Sequence, residues 1–196
     1  MLIPRALVIM ALVLAGARAV AQDGGMVDVA GQAHPAPGHS TGGLDVLVFT
    51  CHDCPICQSY SGEIQRIADA YADRPVRVYV VLEEEGFSTA EAQAWARDFK
   101  LRCAVILDDD RRLARLAQAR TTPEVAVFND TGGIAYLGRI DDGWAGLNRR
   151  RDQPATHDLR AALDALLAGQ APATARTTAI GCVITAMKPS PPGASP

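Results

Sequence analysis

The sequence predicts an α/β fold: a mixed central sheet with helices packed on both faces. Three observations carry this. Short, nearly continuous apolar runs at 46–50, 76–82 and 103–107 have the length and composition of strands covered on both sides. Segments of helical periodicity lie between them, as right-handed parallel crossovers require. Two later runs, 124–128 and 134–140, flank the turn cluster Asn129-Asp130-Thr131-Gly132-Gly133 and read as a hairpin, which adds an antiparallel pair.

The first 21 residues are set apart from this domain. Arg5 precedes an apolar run of 11 residues, 6–16, and Ala19-Val20-Ala21 follows with the small-x-small pattern of a cleavage site. This reads as a secretory signal peptide over 1–21, so the expected location is periplasmic or secreted. The alternative of a retained anchor is weaker, because such a run falls well short of the ~20 residues a spanning helix needs. No stable membrane span is expected in the mature chain. Residues 22–43, rich in Gly, Ala, Pro and His, read as a flexible leader with His34 and His39 solvated.

The domain is expected over 44–169. After the first strand, Ile56, Tyr60, Ile64, Ile67 and Tyr71 recur at helical spacing and make one apolar face. Arg74-Pro75 closes that helix. Ser88-x-x-Glu91 is a capping box that opens a second helix, and Asp110 is placed to cap a third over 111–119. Residues 141–155, with Arg149-Arg150-Arg151, read as a polar loop. Thr156 caps a last helix carrying Leu159, Leu163, Leu166 and Leu167, and Gly169 ends it. The remaining 170–196 is an Ala/Pro-rich tail with one apolar island, 180–184, around Cys182.

The net charge of −3 makes no broad field for nucleic acid. No Gly-rich phosphate cradle implies an organic cofactor. The chemistry lies in the five cysteines: Cys51, Cys54, Cys57, Cys103 and Cys182. Asp53-Cys54-Pro55-Ile56-Cys57 stands where a buried strand hands over to an amphipathic helix. A thiol at a helix N-terminus faces unpaired backbone N–H groups and the positive end of the dipole, both of which favour the thiolate. Cys57 follows one turn later, in reach of a mixed disulfide formed at Cys54. Pro55 suits the first turn, where its missing N–H costs nothing. Thr122-Pro123, just before a hairpin strand, has the setting of a cis-proline loop that holds an extended partner.

Val46-Leu47-Val48-Phe49-Thr50 running into Cys54-Pro55-Ile56-Cys57, the helix that follows, and Thr122-Pro123 resemble the thioredoxin-like superfamily. The extra strand and helix at 103–119 resemble its redoxin branch, which includes periplasmic thioredoxin-like proteins and peroxiredoxins. The resemblance covers about 44–169. It implies a thiol–disulfide oxidoreductase with Cys54 attacking, Cys57 resolving, a Cys54–Cys57 disulfide in the oxidised form, and Thr122 and Pro123 binding the partner strand. Its partners would be protein thiols and disulfides and a periplasmic redox partner. The chain departs from thioredoxin in having Pro-Ile between the cysteines, Asp53 in place of the Trp before the first, and Val48 where a buried acid is usual. Asp53 opposes the thiolate that the helix end favours, so the direction of electron flow stays open.

Two rivals use the same residues. A thiol peroxidase would draw on Thr50 and Arg120, although Thr50 lies one residue further from the cysteine than the peroxiredoxin pattern has it. A copper-delivery module would draw on Cys51 and His52, weak metal candidates because tetrahedral sites usually space their ligands in two separated pairs. Cys103 reads as a buried, inert core thiol. Cys182 reads as an incidental tail cysteine, a partner for Cys51, or a regulatory thiol.

Overall fold

The structure, a computed structural model, describes residues 24–40 and 42–184. The segment 1–21, read above as a signal peptide, and the last residues of the tail lie outside the described residues. A five-stranded mixed sheet forms the centre, in the spatial order 104–107, 76–82, 44–50, 124–128 and 134–138. Its strands are β3 (Leu44–Thr50), β4 (Val76–Leu82), β5 (Ala104–Leu107), β7 (Glu124–Phe128) and β8 (Ile134–Gly138). β3, β4 and β5 run parallel, and β7 pairs antiparallel with both β3 and β8.

The helices are α1 (Pro55–Ala70), α2 (Thr89–Asp98), α3 (Arg112–Ala117) and α4 (Asp158–Leu167). Two successive right-handed crossovers step the same way along the sheet, so α1 and α2 fall on one face, joined there by α4. The chain then crosses back over β3, which puts α3 on the opposite face. Every residue of β3 is buried for this reason. Even Asp45, 1% exposed, is retained in the core because Arg77 Nε lies 2.7 Å from one carboxylate oxygen and the Gly38 N–H donates to the other. On α1 the expected stripe is the buried one: Ile56, Tyr60, Ile64 and Ile67 face the sheet, and Tyr71 is buried just past the end of the helix. Each fully buried Ile there contributes ~1.5–3 kcal/mol relative to exposure. Ser88 and Glu91 form the expected reciprocal cap of α2.

Three expectations need correcting. Residues 24–40 are not a flexible leader. β1 (Met26–Val27) and β2 (Ala33–His34) form a hairpin whose turn is tied by Ala30 and Gln32 N–H groups donating to Asp28 Oδ1. Met26 is buried against the α3 face, and the Val29 N–H donates to the Val105 carbonyl on β5. The leader therefore closes an edge of the sheet, a use that composition does not reveal. His34 is not solvated: Nε2 lies 2.9 Å from Asp28 Oδ2, and the ring meets Tyr79 edge-on. Finally, α3 is not capped by Asp110 alone. Buried Asp108 accepts from the N–H groups of Leu113 and Ala114, while Asp110 accepts from Arg112.

The tail also departs from a simple extended segment. Leu137 donates to the Ala175 carbonyl and accepts from Thr177 N–H, so the tail runs beside β8. It then crosses to the Pro123 loop, where β11 (Cys182–Val183) pairs antiparallel with β6 (Thr121–Thr122). The loop at 141–155 contains its own short hairpin of β9 (Trp144–Gly146) and β10 (Arg149–Arg150). Among the described residues no helix is long and apolar enough to cross a membrane.

Candidate active site

Cys54 is the N-cap of α1, with φ −83° and ψ 114°, and Pro55 follows in the first turn. The strand end at Thr50 and the tight segment 51–53 bring the sulfur over the helix terminus. Backbone N–H groups of Ile56 and Cys57 point at it, and so does the Cys57 thiol. The Cys57 thiol is the largest influence, and with these N–H groups and the Cys182 thiol it outweighs burial and brings Cys54 down to about 5 from an ordinary 9.0. The contest between Asp53 and the helix end is thus won by the donors around the sulfur. Cys57 moves the opposite way: it shares its proton with Cys51 and Cys54 and is buried, so its thiol is held far above the usual range. One thiolate and one thiol, a turn apart, are the pairing that disulfide exchange needs.

The Thr122–Pro123 peptide bond is cis. The Thr122 carbonyl oxygen lies 3.8 Å from Cys54 Sγ, and Thr122 Oγ1 lies 3.1 Å from Cys51 Sγ. The structure therefore brings together Cys54, Cys57, Thr122 and Pro123. All five cysteines are unbridged thiols in this state. The sulfurs of Cys51, Cys54 and Cys57 all fall within 4.8 Å of one another. His52 does not join them. It turns outward, its Nδ1 2.7 Å from Glu84 Oε1 and its ring stacked on Phe87.

Cys54 is only 1% exposed, so the attacking thiol is covered in this state. What lies on its outer side is Cys182, whose thiol donates to Cys54 Sγ at 3.1 Å. Sequence reasoning noticed this cysteine but had no means to assign its neighbour. The apolar island around it, with Gly181 before it, was the available signal. Cys182 meets Cys54 rather than Cys51. Cys103 stands apart: its N–H donates to Gln65 Oε1, and burial pushes its thiol up to about 11.

The residues named for a peroxide site are not arranged around Cys54. Thr50 is buried with its hydroxyl directed at Cys57, and Arg120 is exposed, contributing its backbone to Glu124 and Ile184. Of the buried acids, Glu83, just past the end of β4 and beside Asp108, lies on the α3 face.

The architecture is that of the thioredoxin-like fold, with the strand–helix β5–α3 ahead of the cis-proline loop. Residues 37–137 match the AhpC/TSA family, and the chain belongs to it. Among solved structures it is similar to an uncharacterized conserved protein from Geobacillus kaustophilus, with TM-score 0.72 and 24% identity over 85% of this chain and 89% of that one. A hypothetical protein from Sinorhizobium meliloti gives TM-score 0.70 and 21% identity over 82% and 88%. An exposed lipoprotein thioredoxin from Streptococcus pneumoniae gives TM-score 0.51 and 20% identity over 58% and 85%. The first two superpose on more of the chain than residues 44–169 comprise, so the shared fold reaches into the hairpin or the tail. No curated protein matches the sequence.

Proposed function

We propose that this protein is an exported thiol–disulfide oxidoreductase that works by dithiol/disulfide exchange at Cys54 and Cys57. The observation that carries the reading is the polarised pair at the start of α1, an electron-rich Cys54 supported by the proton of Cys57. In the exchange, a thiolate attacks a disulfide sulfur, a mixed disulfide forms at Cys54, and Cys57 displaces the partner to leave Cys54–Cys57 oxidised; the same steps run in reverse oxidise a partner dithiol. Thr122 and Pro123 line the approach to Cys54 and position the backbone of the strand laid on it, a place that the chain's own β11 takes in this state. Export rests on the segment 1–21, and the redox partners are protein thiols and disulfides of an oxidising compartment.

The test is redox equilibration of the purified chain in glutathione mixtures with reduced, unfolded ribonuclease as substrate. A reversible Cys54–Cys57 disulfide and catalysed ribonuclease oxidation, both lost in Cys54→Ser, are expected. Peroxide consumption that survives Cys57→Ser would instead place the chain among thiol peroxidases. A second reading has one specific observation behind it: the three sulfurs of Cys51, Cys54 and Cys57 are close enough to share a soft cation such as Cu(I). Stoichiometric Cu(I) uptake by the reduced chain, lost in Cys51→Ser, would favour it.

A further inference from the structure

We propose that Cys182 is a third redox-active residue, an exposed relay thiol through which the buried Cys54–Cys57 pair exchanges electrons with partners. The inference rests on the oxidoreductase reading and assigns its point of entry.

The tail is seated where an incoming peptide would sit. An extended partner adds itself to an exposed strand edge by main-chain hydrogen bonds. Here β11 already does so on β6, with Cys182 opposite Thr122 and the Ile184 N–H donating to the Arg120 carbonyl at 2.9 Å. The segment is pinned on both sides of the cysteine. Ile180 packs on the core cluster beneath α1, and Ile184 packs on the cluster of the opposite face. Upstream, Thr177 Oγ1 accepts from the Arg139 N–H at 2.9 Å and lies 2.8 Å from the Tyr136 hydroxyl. Gly181 permits the contact: a Cβ there would lie 1.9 Å from the Thr122 carbonyl oxygen. The tail backbone thus approaches the proline loop as closely as only glycine allows.

This placement delivers one sulfur to another. Cys182 Sγ stands 3.1 Å from Cys54 Sγ, so a bond of ~2.05 Å needs a shift of about one ångström. Cys54 is sealed from solvent while Cys182 is exposed. A bulky protein thiol therefore meets Cys182 first.

The exchange balances without any further reagent. Starting from oxidised Cys54–Cys57, the Cys182 thiolate attacks Cys54. The Cys54–Cys182 bond forms, the Cys54–Cys57 bond breaks, and Cys57 leaves as a thiolate that takes up the proton Cys182 gave up. A partner thiolate then attacks Cys182 and expels Cys54. That regiochemistry is set by the leaving group, since Cys54 is far the more acidic of the two, Cys182 being pushed up to about 12 by its contact with Cys54. The second thiol of the partner displaces Cys182. The partner leaves as a disulfide, and Cys54, Cys57 and Cys182 are left reduced.

Two measurements on the full mature chain test this. Cys57→Ser, oxidised with one equivalent of diamide and mapped by non-reducing peptide mass spectrometry, should yield a Cys54–Cys182 cross-link. Cys182→Ser should still form Cys54–Cys57 with glutathione but oxidise reduced ribonuclease at least about tenfold more slowly than wild type. Ribonuclease oxidation that is unchanged or faster in Cys182→Ser would make the tail a plug and overturn the relay, as would absence of the cross-link. A wild-type chain that oxidises no ribonuclease and forms no Cys54–Cys57 disulfide defeats the underlying oxidoreductase reading instead.

Discussion

Lowering the pH of a glutathione-poised sample from about 8 to about 4 titrates the group on which the redox chemistry turns. With Cys54 at about 5 rather than 9.0, the reduced chain at pH 7 holds ~99% of Cys54 as thiolate, against ~1% for an ordinary thiol. That ionisation stabilises the reduced form by ~2.7 kcal/mol at pH 7. For a two-electron couple this is ~60 mV, so the Cys54–Cys57 disulfide is the stronger oxidant by that amount. The effect on attack rate is smaller, because the gain in thiolate fraction is offset by lower intrinsic nucleophilicity at a Brønsted slope of ~0.4–0.5. The advantage therefore lies in accepting electrons and in leaving.

The pH profile follows. Above the Cys54 pKa, reduction takes up one proton, that of Cys57, and the potential changes by ~30 mV per pH unit. Below it, two protons accompany two electrons and the slope steepens to ~59 mV. The potential is read from the Cys54–Cys57 disulfide fraction by peptide mass spectrometry after acid quenching, and thiolate absorbance at 240 nm gives the ionisation independently, as the step missing from Cys54→Ala. Both should break near pH 5. Cys182→Ala, which removes one donor to the sulfur, should move the break upward. A break at pH 8–9 would refute the claim that the neighbouring donors outweigh burial.

Other parts of the fold make separate predictions. Glu83 is buried with neither carboxyl oxygen meeting a hydrogen-bond donor among the described residues, and burial and then Asp108 push it up to about 9. Its folded pKa lies above the unfolded value, so its contribution is complete below about pH 4.5 and is lost as pH rises through 9. Thermal unfolding should show stability falling across that window, by at most ~1.4 kcal/mol per pH unit from this group. Glu83→Gln should flatten the slope and raise Tm at pH 8, and an unchanged slope would count against burial as the cause of the shift. Met26→Ala should cost ~2–5 kcal/mol in urea unfolding, because Met26 is fully buried against α3. A loss under ~0.5 kcal/mol would mean that the hairpin adds nothing to the core.

The strand–helix alternation was legible because each element has its own period. The α1 stripe, the β3 run and the Ser88–Glu91 cap are local patterns, and short-range physics sets them. The cysteine pair at a strand-to-helix junction was legible for the same reason. The hairpin at 24–40 was not, since Met26-Val27-Asp28-Val29 is too short to show a period, and α3 and β5, which cover Met26 and pair with Val29, lie some eighty residues on. Asp108 was hidden behind Asp110 because a run of three acids does not say which one the turn aims at the helix.

From its own order of residues the chain dictated an α/β sheet, a helix beginning at Cys54, and a second thiol one turn along. The folded structure alone decided what covers that first sulfur. Strand pairing between segments sixty residues apart carries Cys182 to Cys54, and such contacts depend on chain return in space, which no local periodicity encodes. The acidity of Cys54 is divided between the two: the Cys57 thiol and the first-turn N–H groups are local to α1, and the Cys182 thiol joins them only once the tail is in place.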